Sequence, residues 1–447
     1  MVNSLDDGTV QLPIKVISST IPDNSLIFIL IYSSFFHLHN CIENNSFRIL
    51  AQTLQNLLLY YNILYSSFYQ NNSMKYLKHF LPSLFIILAL YTFSLGSHYP
   101  TIFLVGFSAF IILGDILFKK QTNIQKFSYP SILNLSIYIN LPFLFILIFF
   151  VVFVFSNYSP IWVANLYYEF LFIDLLNIKS SATLLDKISI IISTTLFIGI
   201  LGTVPGHELT HRKKNKLDMF IGNWLLAFSW DCAFAIEHVY GHHKHVGLPN
   251  DPATAKRGEN LYGFILRALY KEQTIAWKIE IDRLKRRNHY FFSFHNKMII
   301  GYFRSITIMI LTYSIGGIIG VATFLLCAIL AKSLLETINY SEHYGLVRLK
   351  GEPVCTRHSW NSNHTMSGVM LCNVNRHSSH HHSSNLKFWE LDTLPEAPML
   401  PHGYLAMIYI AIFLPFLYHR MMEKKIMDWD TNYASDEEKI LLENLNL

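Results

Sequence analysis

Residues 135–155 read LSIYINLPFLFILIFFVVFVF, an apolar run without a single charge. A helix needs about 20 such residues to cross the hydrocarbon core of a bilayer. In lipid only a helix or a closed barrel satisfies its own backbone N–H and C=O groups, so an isolated run of this kind is helical. Working outward, similar runs lie at 80–98 and 101–118, on either side of SHYP, and at 187–205. Two more, at 298–315 and 318–337, face each other across Gly316 and Gly317 and predict a hairpin. The expected fold is an all-α polytopic membrane protein with six transmembrane helices. Composition agrees: 15% of the 447 residues are charged, against roughly 25% in soluble domains. A later stretch, 403–418, is short and holds Pro415, so it is expected to lie at the interface or against the bundle.

Lysine and arginine at the span ends set the orientation. Lys75 and Lys78 place the start of the first span inside, and Lys119 and Lys120 follow the second. The fourth ends at His207, just before the basic run 212–216, and the last pair is entered from the basic stretch 278–297. Every histidine cluster is thereby expected on the cytoplasmic side of a bacterial inner membrane. A net charge of +5 gives no reason to expect nucleic acid, and five scattered cysteines form neither a disulfide framework nor a C-x-x-C metal ribbon. Residues 1–73, rich in Asn, Ser and Tyr, read as an N-terminal appendage, with Met74 of MKYLKHF as an alternative start. A real extra membrane-associated segment is the competing reading. Residues 74–430 form the expected membrane domain, and 431–447 a polar, acidic tail without recognisable chemistry.

Histidine is the unusual residue, with 21 copies, most of them after position 206. GHELTHRKKN (206–215) places His207 and His211 at i,i+4, on one helix face. It also matches the His-Glu-x-x-His pattern of zinc proteases, in which the glutamate, here Glu208, activates water. EHVYGHHKHVG (237–247) adds His238, His242 and His243; NYSEHYGL (339–346) adds His343. NRHSSHHHSS (375–384) adds His377, His380 and His381. Nine imidazoles exceed the needs of one tetrahedral zinc site. They suit two ions in an imidazole-rich shell, and imidazole alone does not choose among Fe, Zn, Cu and Ni.

The boxes HELTH, HVYGHH and HSSHH fit the three-box pattern of the membrane fatty acid desaturase/hydroxylase superfamily. More narrowly, NYSEHYGLVR, the extended first and second boxes, HSWNSNH (358–364) and the region 400–422 resemble the AlkB-type alkane monooxygenases over about residues 80–430. The resemblance implies two non-haem irons, O2 as co-substrate, terminal hydroxylation of alkanes, and electrons from rubredoxin and its reductase. It implies that His207, His211, His238, His242, His243, His343, His377, His380 and His381 ligate iron. Asp251 matches a family carboxylate able to orient ligands from outside the metal shell. Glu208, Glu237 and Glu342 sit beside ligands and are candidates for the same role, as are His358 and His364. His245 and His382 are read as non-ligands. Ser379 stands where the family has Asp, and Asn375 where it has Gln; loss of that carboxylate bears on the support of the ligands or on substrate preference and leaves the histidine spacing intact. Rival readings are the same scaffold acting on a fatty acyl chain or an aromatic methyl group, a membrane zinc protease, and a metal transporter.

Overall fold

The computed structural model describes residues 74–118 and 120–444; the expected N-terminal appendage lies outside the described residues. Within them the chain is helical, with no β-strand and one isolated bridge between Asn361 and Met399. Among the described residues five helices are long and apolar enough to cross a membrane: α1 (Lys75–Ser94), α2 (Tyr99–Leu117), α3 (Pro130–Phe155), α4 (Leu184–His211) and α6 (Lys297–His343), whose two arms meet at Gly317. The amphipathic α5 (Leu261–Arg286) precedes α6. A multi-pass membrane protein follows from these lengths and compositions.

The 47 residues of α6 would extend about 70 Å if straight, more than twice a bilayer core. They do not run straight. Gly317 has φ 56°, ψ −150°, a region essentially closed to side-chain-bearing residues. Beyond it the chain folds back, so that a Cβ on Gly320 would lie 2.7 Å from the Thr312 carbonyl oxygen. The far ends of the two arms accordingly meet neighbouring residues. Met298 packs with Cys232, Ala233 and Ile236, and Leu335 with Leu226 and Phe234. The turn expected at Gly316–Gly317 is present.

Both α4 and α6 outlast the apolar stretches that announced them. α4 continues to His211 and α6 to His343. Hydropathy marks where a helix meets lipid, whereas helix ends depend on what the last turns can bond to. These extra turns lift histidines out of the apolar layer. Aromatic rings tie the bundle together, with Phe93 against Phe103 and Phe150, and Phe197 against Phe103 and Phe107. Between helices in lipid such van der Waals packing is the main adhesive, because tails are as apolar as the side chains.

Between α3 and α4, where hydropathy announces no span, Ile161–Leu171 and Leu175–Ser181 form a pair bent by 112°. The Asp174 carboxylate starts the second by accepting from the Leu176 and Asn177 N–H groups. The stretch near 403–418 is the short helix Tyr404–Phe413, broken at Leu414 before Pro415–Asn432. It packs beside α2, with the Tyr409 hydroxyl 2.8 Å from Ser108 Oγ.

Candidate metal centre

The last turns of α4 reach the site through an irregularity. Residues Ile198–Thr203 form a π-helical turn, after which Val204–His211 is regular α-helix. Gly206 lets this end lie flush on the helix Lys216–Ala227; a Cβ there would come within 2.9 Å of Leu226 and 3.2 Å of the Gly222 carbonyl oxygen. His207 and His211 then share one face, with ring centroids 4.9 Å apart.

A second π turn, His238–His242, sits between Phe234–Glu237 and His243–His245. In a regular helix His238 and His242 would share a face. The extra residue in the turn instead brings His238 beside His243, with Nε2 atoms 3.1 Å apart, and turns His242 toward His381, 3.2 Å away between Nε2 atoms. π turns of this kind frequently accompany functional sites.

The short helix His377–His382 divides in the same manner. His380 Nε2 lies 3.0 Å from His207 Nε2 and 3.1 Å from His243 Nε2. His377 Nε2 lies 2.9 Å from His381 Nε2 and 3.0 Å from His343 Nε2. Two groups result: His207, His211, His238, His243 and His380, and beside them His242, His343, His377 and His381, with ring nitrogens of each group within 4.8 Å of one another. All nine histidines singled out in the sequence fall into one group or the other. His245 and His382 fall into neither.

The second group is buried throughout, whereas His211 and His243 of the first are half-buried. Burial pushes His238, His243, His377 and His381 well below the usual imidazole range and His380 down to about 3, with neighbouring imidazoles adding to the effect. These rings are therefore neutral, as metal binding requires. A neutral imidazole has one donor and one acceptor nitrogen, so converging Nε2 atoms cannot satisfy one another all round. His211 Nε2 is buried without a hydrogen-bond partner. Nitrogens about 2.1 Å from a common ion and at right angles around it lie about 3 Å apart, which is the spacing observed. The donor set fits two metal ions.

The outer nitrogens are fixed as well. His242 Nδ1 meets both Asp251 oxygens at 3.0 and 3.1 Å, and Thr254 Oγ1 donates to Asp251 at 2.6 Å. His343 Nδ1 donates to the His358 carbonyl oxygen at 3.1 Å. His377 Nδ1 lies 3.2 Å from Glu342 Oε1, off the line of a hydrogen bond.

The profile of the fatty acid desaturase family matches residues 187–411, half of the chain. The chain belongs to that family. Among curated proteins it is similar to alkane 1-monooxygenase 1 of Pseudomonas aeruginosa, 34% identical over 264 residues, 58% of this chain and 68% of that relative. It is similar also to alkane 1-monooxygenase 2 of Alcanivorax borkumensis, 35% identical over 271 residues, 60% of this chain and 69% of the relative. The xylene/toluene monooxygenase hydroxylase component of Pseudomonas putida is 26% identical over 375 residues, 82% of this chain and 93% of its own.

In this desaturase-family protein the glutamates beside the clustered histidines have distinct settings. Glu208 accepts from Arg212 Nη2 and Nε at 2.6 and 3.0 Å and from Phe388 N–H at 3.1 Å. One carboxylate oxygen, Oε1, thus takes all three bonds and ties Glu208 to Arg212 and to the Phe388 backbone. Glu237 lies under Gly241 with Oε1 lacking a hydrogen-bond partner; burial, and Asp251 nearby, hold its carboxyl well above the usual range. His364 Nδ1 bonds Ser362 Oγ at 2.9 Å and belongs to neither group.

The two departures from the family pattern have structural uses. Ser379 Oγ accepts the Asp392 N–H at 2.9 Å, tying down the following loop. Asn375 Nδ2 donates to the Ser362 carbonyl oxygen at 2.7 Å. Where the groups adjoin, Val204, Phe234, Leu335, Ile338 and Val374 wall a mostly apolar recess, with Asn339 and Glu342 at its lining, onto which His207, His238 and His377 face. Hydropathy and box spacing do not announce these walls, which come from four separate segments.

Asp251→Asn keeps the shape but removes the charge from the only carboxylate bonded to a ring nitrogen of either group among the described residues. Metal affinity at the four-histidine group is expected to fall about 10–100-fold, read by anaerobic metal titration of the purified chain, with the five-histidine group unchanged.

Proposed function

We infer that this protein is an integral-membrane monooxygenase that converts the terminal methyl of an alkane to a primary alcohol with O2. The two histidine groups hold one iron each, and rubredoxin, reduced by its reductase, supplies the electrons. One observation carries this reading: two imidazole groups adjoin at an apolar recess. Oxygen activation needs a redox metal, which zinc is not, and an apolar wall suits a substrate with no polar handle. The sum is RH + O2 + 2e⁻ + 2H⁺ giving ROH + H2O.

Counting α6 as two spans on either side of Gly317 gives six crossings. The basic residues after α4 and before α6 then put the histidines on the cytoplasmic side of a bacterial inner membrane, where a soluble electron carrier reaches them. Residues 74–430 are the catalytic membrane domain, with 1–73 an appendage and 431–447 a tail.

When bound, the irons supply electron transfer to O2 that no side chain provides. The chain does the rest. Burial keeps the imidazoles neutral, and Asp251 and the His358 carbonyl fix two of the rings by their outer nitrogens. Val204, Leu335 and Ile338 present the methyl end to the metals and keep water from competing. Asp251 and His358 act through the ligands, Glu342 lies beside His377, and Glu208, Glu237 and His364 support the surrounding segments.

The long alignment to the xylene/toluene relative favours a second substrate, an aromatic methyl group, over a fatty acyl chain. Whole-cell oxidation of octane, hexadecane, xylene and a fatty acid, with rubredoxin co-expressed, separates these. 1-Octanol or 1-hexadecanol is the expected product; methylbenzyl alcohol alone supports the second reading, and no oxidation of any of them rejects both.

A further inference from the structure

The C-terminal segment carries a carboxylate for which the sequence offered no role. Glu438, on the helix Asp436–Asn444, is fully buried. Its Oε1 lies 2.7 Å from His358 Nε2, and its Oε2 accepts from Arg357 Nε at 2.9 Å and from Ser435 N–H at 2.8 Å. Glu352, His358 and Glu438 lie close enough together to hold an ion, but the Arg357 guanidinium already balances the Glu438 charge.

His358 is held in one tautomer. Its Nδ1 accepts the Cys355 N–H at 2.9 Å, so the proton sits on Nε2 and is donated to Glu438. Burial opposes ionisation of Glu438, and the bonds from His358, Arg357 and Ser435 outweigh it, holding the carboxyl at about 2. The carboxylate is a permanent acceptor at any working pH. With the ring pinned at both nitrogens, the backbone of residue 358 is fixed too, and its carbonyl oxygen receives His343 Nδ1 at 3.1 Å. That bond leaves the lone pair of His343 Nε2 facing His377 and the four-histidine group.

We propose that Glu438 is a positioning residue for the second metal: the C-terminal helix, through His358, sets the tautomer and aim of His343. The proposal rests on the metal centre described above. It makes the tail part of the site rather than an ornament to it. The prediction is selective, because a merely structural anchor would disturb both groups or neither.

The test uses the full chain, purified in detergent, stripped of metal and titrated anaerobically with Fe(II). In Glu438→Ala the four-histidine group is expected to bind about 10–100-fold more weakly, with the five-histidine group unchanged. Glu438→Gln keeps an acceptor for His358 and is expected to restore most of the affinity. It also serves, with a smaller selective loss, if the alanine variant does not fold. Asp430→Asn loosens the same segment where Asp430 pairs with Arg257 at 2.6 Å; it is expected to lower the melting temperature without changing metal affinity. Equal loss from both groups in Glu438→Ala, or no loss, overturns the proposal. His343→Ala is the reference: if it too binds two irons as tightly as the parent chain, the failure lies with the metal centre itself.

Discussion

His380→Ala is expected to leave the five-histidine group unable to retain a metal and, on the proposed function, to abolish hydroxylation. His380 Nε2 stands 3.0 and 3.1 Å from the Nε2 atoms of His207 and His243, and its ring centroid is 4.7 Å from that of His211. Removing it takes away the ring that stands between His207 and His243. Losses from changes one layer outside a metal are about 10–100-fold, and deletion of a ligand exceeds them. His382→Ala, two residues on and exposed, is the control and should behave as the parent. Iron per chain and product formation are both measured. Two irons and full turnover in His380→Ala would refute the grouping.

Lys332→Met is expected to cost the fold more than any other single change described here. Lys332 is buried on the second arm of α6, and its ammonium lies 2.8 Å from Asp231, 2.7 Å from Glu272 and 2.6 Å from Glu336. Three carboxylates from three elements meet at one cation. Burial, in spite of that cation, pushes the Asp231 and Glu272 carboxyls up. Taking the charge from such a cluster leaves buried anions uncompensated, at about 3–5 kcal/mol. The site feels it as well, since the ammonium lies 5.7 Å from the centre of the Phe234 ring, which stacks on His238 at 4.3 Å. Thermal unfolding in detergent is the measurement. Adding Asp231→Asn and Glu272→Gln should recover part of the loss, because fewer anions then lack a partner. An unchanged melting temperature in Lys332→Met would show that the cluster contributes nothing.

Spacing made the nine histidines legible. Imidazoles at i,i+4 share a helix face whatever the tertiary structure, and four clusters of them had to be explained together. Their division into two groups was not legible. It turns on π turns, and on His380 parting from its neighbour His381, neither of which a repeat of 3.6 residues announces. The Gly316–Gly317 turn was readable because two apolar runs flank it. The buried charge cluster was not, since Asp231, Glu272 and Lys332 are far apart in sequence and each alone resembles a solvated residue. Glu438 was hidden for the same reason, 80 residues from His358 in an acidic tail. What meets only through tertiary contact leaves no local mark.

The splitting of the boxes bears on how the chain resists unfolding. Neither group is built from one stretch of chain. A metal in the first would cross-link residues as far apart as His207 and His380, 173 positions along the chain, and one in the second would join His242 to His381 across 139. Each ion would thus be a staple closing a very long loop, and constraining a loop of a hundred residues or more removes chain entropy worth about 5 kcal/mol from the unfolded state. The two staples interlock, because adjacent residues His242 and His243, and likewise His380 and His381, belong to different ones. With one ion gone, the other would still close its own loop.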